Sequence, residues 1–283
     1  MPSLILALDT STDVCTVSLL ALGEDVRVLA ARSAVAGRGH TRILLGFCDE
    51  VLGQAGAEPR DLGAIMVGTG PGTFTGVRIG VATARAMALS VGIPVIGVST
   101  LAVLAAAAAE IADTTASAIV PVVDARRGQL FAGVYERGPA RVETGGGCWA
   151  RAGDYFSLDP ADLAAEVRAR TRAAAVAVGD PRLLADLGLR GLSVAVDAAF
   201  LLRGQSRLRE PAGSRGGDDL ASWLADALVS RGRDQTRRAA ERGLFPGAAA
   251  PGEIGSPESV RPLYVRMPDA DIHITRMKDP WAS

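Results

Sequence analysis

The stretch Gly68-Thr69-Gly70-Pro71-Gly72-Thr73-Phe74-Thr75-Gly76-Val77-Arg78 constrains the fold most, because it joins a short apolar run to a long helical pattern. Ala64 to Val67 reads as a buried strand, and Val77 to Val91 as a helix whose one interruption is Gly80. Glycines at a strand-to-helix turn permit positive φ and let an anion, or another stretch of backbone, approach the helix N-terminus. On the glycines alone two readings stay open, a phosphate cradle and a tight structural turn. A Walker loop is excluded: the only lysine among 30 basic residues is Lys278, and the loop closes in Thr-Gly-Val-Arg. The glycine spacing also departs from the G-x-G-x-x-G of dinucleotide sites.

A chain of 283 residues with 48% hydrophobic content can fill two α/β cores. A net charge of -1 gives no global basic field, so any RNA contact is expected to be local or shared with a partner. Cys15, Cys48 and Cys148 form no paired spacing and read as small hydrophobes in a reducing compartment. The N-terminal apolar run stops at Asp9 without a basic leader, and Leu101 to Ala109 is too short and weakly apolar to span a bilayer. A soluble, cytoplasmic protein without membrane contact is expected.

Leu4 to Leu8, Cys15 to Leu22 and Asp25 to Ala34 read as a meander of three strands. A helix from about Thr41, with Thr41 as a candidate N-cap, carries Ile43, Leu44, Phe47, Val51 and Leu52 on one face. The strand, glycine loop and helix follow, then a strand at Pro94 to Val98 and a helix from Thr100, giving βββαβαβα, a mixed sheet flanked by helices. Ala118 to Ala125 repeats the pattern of Leu4 to Thr10, an apolar strand ending in Asp and a small residue before a second strand, here Gln129 to Tyr135. A duplicated α/β unit is expected, with a strand at Ala174 to Val178 and helices at Pro160 to Thr171 and Leu220 to Arg231. Gly204 to Gly217 and Phe245 to Pro257 lose apolar periodicity and read as loop insertions.

Leu8-Asp9-Thr10-Ser11-Thr12, the string Gly70-Pro71-Gly72-Thr73-Phe74-Thr75-Gly76-Val77-Arg78-Ile79-Gly80, Gly97-Val98-Ser99-Thr100-Leu101 and Asp124-Ala125-Arg126-Arg127-Gly128-Gln129 together resemble the TsaB (YeaZ) family. The likeness covers residues 3 to 135 and resumes at Arg261 to Arg266. It implies two RNase H-like domains of the actin/Hsp70/sugar-kinase superfamily, at 1–102 and 103–267, followed by a tail at 268–283. It further implies a non-catalytic subunit of the complex that forms N6-threonylcarbamoyladenosine at position 37 of ANN-decoding tRNAs. The implied partners are TsaD in a heterodimer and TsaE in an ATP-dependent step, with tRNA met only through the complex and a homodimer when the chain is alone. No cofactor is expected on the chain itself, with ATP placed at the complex interface.

In the related transferase TsaD, two histidines one helical turn apart hold a metal; the matching positions here are Thr100 and Leu104, neither of which replaces an imidazole. His40 and His273 are the only histidines, so no His-x-x-x-His exists and no metal site is expected. His40 reads as a cap or interface residue. Asp9 with Thr10 sits where relatives of the fold hold a metal-nucleotide, yet an Asp in a tight hairpin also caps its own turn. Gly70, Gly72, Thr73 and Arg78 belong to the candidate phosphate loop, and Asp124 with Arg126 and Arg127 forms a turn suited to phosphate, a partner carboxylate or plain solvation. A nuclease would need further carboxylates beside Asp9, for which Asp49 or Glu50 are available, but no third follows the strand at Ala64 to Val67. An ATP-dependent small-molecule kinase or ATPase is the enzyme alternative.

The helix at 77–91 is apolar on more than the face one sheet can cover, which calls for a second covering surface, either another protein or the chain's own second domain. The resemblance pairs it and the helix at 40–53 with the equivalent two of TsaD. The expected contact residues are His40, Leu44, Leu45, Cys48, Val77, Val81, Ala84 and Ala88.

Overall fold

The computed structural model describes residues 3–23, 25–37, 39–111, 116–140, 147–203, 208–209, 254–255 and 260–265. The expected helix at Leu220 to Arg231, most of both insertions, the tail and Arg266 lie outside these residues. β1 (Ser3–Asp9), β2 (Val14–Leu22) and β3 (Val26–Val35) form the antiparallel meander. α1 (His40–Gln54), β4 (Leu62–Gly68), α2 (Phe74–Val91), β5 (Val95–Val98) and α3 (Thr100–Ile111) follow. A short 3-10 turn at Pro59–Asp61 is the one addition to the expected order in this half.

The second half contains β6 (Ala118–Arg126), β7 (Gln129–Ala132), β8 (Tyr135–Ala140), β9 (Gly147–Arg151) and β10 (Phe156–Leu158). α4 (Leu163–Arg170), β11 (Ala175–Gly179), α5 (Pro181–Leu184), β12 (Arg190–Ser193) and α6 (Phe200–Arg203) complete it. The short strands β13 (Leu208–Arg209) and β14 (Ile254–Gly255) pair with β9 and β5. The expected single strand Gln129 to Tyr135 is instead two, β7 and β8, which take the same side of β6 in succession with Gly133 and Val134 between them.

The two halves share one topology. β3-β2-β1-β4-β5 runs in order through the first sheet, with β1, β4 and β5 parallel. The path β10-β7-β6-β11-β12 repeats it in the second, with β6, β11 and β12 parallel. Both crossovers carry helices, as parallel pairing requires.

Side chains on β1 alternate between two cores, as the period of two dictates. Ile5 and Ala7 meet α3 and the second sheet, while Leu6 and Leu8 meet α1 and α2. α3 is buried from Thr100 to Ala108 between the sheets, and its run of alanines lets both approach closely. α4 covers the far face of the second sheet through Leu163 and Val167. Each large side chain fully buried in these cores contributes about 1.5–3 kcal/mol. Among the described residues no helix is long and apolar enough to cross a membrane.

α1 begins at His40 with Gly39 in the cap position and no side-chain capping bond, so Thr41 is not the N-cap. His40 is buried, and among the described residues neither ring nitrogen makes a hydrogen bond of ordinary geometry. Burial holds its imidazole below the usual histidine range, while the nearby Thr12 backbone and the carboxylates of Asp13 and Asp9 pull the other way.

Candidate functional site

The glycine loop lies against the turn between β1 and β2. Thr73 N–H donates to the Ser11 carbonyl at 2.7 Å, Thr10 Oγ1 donates to the Gly76 carbonyl at 2.7 Å, and Thr100 N–H donates to the Gly70 carbonyl at 2.8 Å. A Cβ on Gly72 would stand 2.1 Å from the Ser11 carbonyl oxygen, one on Gly76 2.1 Å from that of Thr10, and one on Gly68 1.8 Å from Asp9 Oδ2. These contacts assign Gly72 and Gly76 to close backbone approach and Gly68 to room for the Asp9 carboxylate, while Gly70 at φ +90° needs the left-handed region. The space an anion would need on this side of the loop is filled by the chain's own turn.

Asp9 is fully buried beneath the loop. Its Oδ1 accepts from the Ser11 amide and hydroxyl, and its Oδ2 from Thr100 Oγ1 at 3.0 Å. Burial pushes its pKa above the usual carboxylate range, against the pull of those three donors. Thr100, at the position matched to a transferase histidine, is therefore committed to Asp9 and Ser11, while Leu104 faces the cleft described next. Asp49 and Glu50 lie exposed on α1, Glu50 paired to Arg32, so the nuclease set does not assemble. Among the described residues no group of three His, Cys, Asp or Glu could hold a metal ion.

Between the two sheets lies a cavity of about 290 Å³. Thr12, Asp13 and Thr73 border it from the first half, and Asp124, Arg126, Asp180 and Arg182 from the second, over an apolar lining that includes Leu104 and Val194. Arg126, at φ +63°, reaches across to Asp13 and donates from Nη1 to Asp124 Oδ2 at 3.0 Å. Arg182 forks onto Asp180 and holds its carboxyl below the usual range. Both guanidiniums on the cavity rim are thus engaged by carboxylates, and three carboxylates face two cations. This is a poor fit to nucleotide phosphates. The sequence reading found Thr73, Asp124 and Arg126 but missed Asp180 and Arg182, although Asp180-Pro181 carries the signal of an N-cap followed by proline at the first helical position.

Arg78 points away from the cavity. Its guanidinium stacks 3.6 Å from the Phe74 ring centroid, and its Nε donates to the Tyr264 hydroxyl at 3.0 Å. The segment carrying Tyr264 is anchored by Leu263 N–H donating to the Thr69 carbonyl at 2.7 Å.

The helix contacts need correction. His40, Leu44, Cys48, Val77, Val81, Ala84 and Ala88 are buried in the core beneath α1 and α2, because the first sheet takes the face that carries them. Only Leu45 of the expected set faces solvent, 55% exposed. The free face instead shows Leu45 and Gly46 on α1, and Ala82, Ala86 and Leu89 on α2. Gly46 sits mid-helix, where glycine costs about 1 kcal/mol relative to alanine, and a Cβ there would meet nothing within 4 Å. Nothing in the chain's own packing accounts for it.

The profile of the family described as "TsaD: tRNA N6-adenosine threonylcarbamoyltransferase" matches residues 33–274. The tRNA threonylcarbamoyladenosine biosynthesis protein TsaB of Haemophilus influenzae is 37% identical over 141 residues, covering 50% of this chain and 57% of its own length. TsaB of Escherichia coli is 37% identical over 133 residues, covering 47% and 55%. The alignments thus span little more than half the length of these curated relatives. YeaZ from Pseudomonas aeruginosa superposes with a TM-score of 0.57 at 30% identity, covering 72% of this chain and 91% of that one. A second P. aeruginosa structure, of an uncharacterized protein with similarity to peptidase YeaZ, gives a TM-score of 0.63 at 26% identity, covering 93% and 100%. Sheet order, the packed glycine loop and these similarities agree on two RNase H-like halves, and the chain belongs to the TsaB (YeaZ) branch of the TsaD-related family.

Proposed function

We propose that the chain is a non-catalytic subunit that docks on TsaD and supports formation of N6-threonylcarbamoyladenosine at position 37 of ANN-decoding tRNAs. The observation that carries this reading is the free face of α1 and α2. Leu45 and Leu89 are 55% and 54% exposed, and Gly46, Ala82 and Ala86 leave the backbone open to a second helix pair. Small residues flanked by exposed leucines suit close helix packing, in which each buried leucine adds about 1.5–3 kcal/mol.

The catalytic chemistry is assigned to the partner. Asp9 and Thr100 are bonded to one another beneath the loop, and the cleft guanidiniums are held by Asp13, Asp124 and Asp180. In this reading the chain alone holds no nucleotide. ATP enters with TsaE at the assembled interface, tRNA meets the chain through the complex, and two copies pair through the same face when TsaD is missing.

The test is reconstitution with TsaD and TsaE of the same organism. The expected result is a complex with TsaD, stimulated threonylcarbamoyl transfer in the full mixture, and none by the chain alone. Robust transfer or ATP-dependent phosphorylation of a small molecule by the isolated chain would favour the kinase or ATPase alternative and overturn this one.

A further inference from the structure

α2 carries Arg78 and Arg85 and no carboxylate from Phe74 to Val91, so the two formal charges on this otherwise apolar helix are both positive. Thr75, Arg78, Ala82, Ala86 and Leu89 recur at spacings of three and four and are all exposed, which places Arg78 on the same stripe as the small residues of the proposed docking face. Arg78 is held rather than loose. Phe74 covers one face of its guanidinium, Tyr264 takes Nε, and the Tyr264 ring lies 6.0 Å away, 5.7 Å from that of Phe74. Among the described residues its terminal nitrogens pair with no carboxylate. A guanidinium fixed in orientation, with its two-nitrogen end open, is matched to a carboxylate in bidentate geometry and loses little side-chain entropy on pairing.

We propose that Arg78 is a pre-oriented anchor for an aspartate or glutamate of the docking partner, at the N-terminal end of the α2 stripe. This rests on the docking reading above and adds the chemistry the partner must present. A protein carboxylate is favoured over an RNA phosphate because Arg78 continues an apolar, small-residue helix face, the kind of surface another helix covers. Tyr264 makes the anchor depend on the segment at 260–265, which returns to the first half and fixes the guanidinium from outside the helix.

The test measures equilibrium affinity and salt dependence for TsaD of the same organism, using the wild-type chain, Arg78→Gln, Arg78→Lys, Tyr264→Phe and, as a reference on the stripe, Ala86→Glu. Arg78→Gln is expected to weaken binding about tenfold and flatten the salt dependence, while the chain stays folded with a thermal midpoint lowered by no more than a few degrees by loss of the Phe74 and Tyr264 contacts. Arg78→Lys should recover little, since an ammonium reproduces neither the fork nor the stacking. Tyr264→Phe, which leaves the charge in place, should weaken binding about two- to threefold. Binding of Arg78→Gln within about twofold of wild type while Ala86→Glu binds no partner overturns the anchor and leaves the docking face standing. Wild-type affinity of Ala86→Glu overturns the docking face and the anchor with it. An Arg78→Gln chain unchanged toward TsaD but weakened toward a single-stranded RNA oligonucleotide overturns the carboxylate assignment in favour of phosphate.

Discussion

The glycines at the junction of β4 with α2 and the glycine in the middle of α1 stand in opposite surroundings. At Gly68, Gly72 and Gly76 an added Cβ would fall within about 2 Å of the β1–β2 turn, whereas at Gly46 it would meet nothing within 4 Å. The first group is explained entirely from inside the chain, because Gly72 and Gly76 are pressed against the backbone of the β1–β2 turn and Gly68 against the Asp9 carboxylate. Gly46 has no inside explanation, and it sits beside exposed Leu45, with Ala82 and Ala86 exposed on the neighbouring helix α2. A glycine-rich segment that suggests a ligand can therefore be a packing device, while an isolated helical glycine can mark the surface that meets another molecule.

Paired substitutions on α2 should divide these two environments most sharply. Ala84→Asp places a charge at a fully buried position in the core under the sheet, and is expected to remove about 4 kcal/mol or more, enough to prevent folding. Ala86→Asp, two residues on and exposed, should leave denaturant unfolding within about 0.5 kcal/mol of wild type and abolish co-purification with TsaD. Gly72→Ala is the next largest effect. Its Cβ meets a backbone carbonyl that cannot swing aside, so a loss of about 3 kcal/mol is expected in chemical denaturation. Destabilisation below about 0.5 kcal/mol would mean that the loop and turn are not locked together.

The smallest expected effect concerns His40. Its folded pKa lies below the ordinary 6.5, so as pH falls through that value the unfolded chain takes up a proton that the folded chain resists. Stability should therefore decline from pH 7 toward pH 5, and His40→Leu should flatten that segment of the profile. Asp9 has the opposite sign, since its raised pKa gives a contribution present at low pH and lost as pH rises through the folded value. A wild-type profile that rises on acidification from pH 7 to 5, with His40→Leu removing the rise, would contradict the buried neutral imidazole.

Much of the first half could be read from sequence because its signals were local. Period-two and period-3.6 patterns in β1 to α3 each matched one element, and the Asp-ended hairpins at Asp9 and Asp124 marked the duplication. All but Leu45 of the expected contact residues lie buried, for a physical reason. α2 is apolar nearly all round, and hydrophobicity alone does not tell the face a sheet covers from the face left open. A finer signal was present: Gly76, Val77, Gly80, Val81, Ala84 and Ala88 form one stripe at helical spacing, joining β-branched bulk to glycines that admit the Thr10 turn. The cleft was harder to read, since Asp13, Asp124, Asp180 and their two arginines come from three separated turns and converge only through the sheet topology. The break between β7 and β8 gave no sequence warning beyond Gly133, where a Cβ would strike the Tyr155 ring at 2.7 Å.

The most direct measurement is the stability and TsaD affinity of Gly46→Leu, taken together on one preparation. A monomer at least as stable as wild type is expected, because the side chain enters open space and leucine favours helix by about 0.5–1 kcal/mol over glycine, with affinity for TsaD reduced at least tenfold. Undiminished affinity in a folded Gly46→Leu chain would contradict the claim that this face of α1 and α2 is where the partner docks.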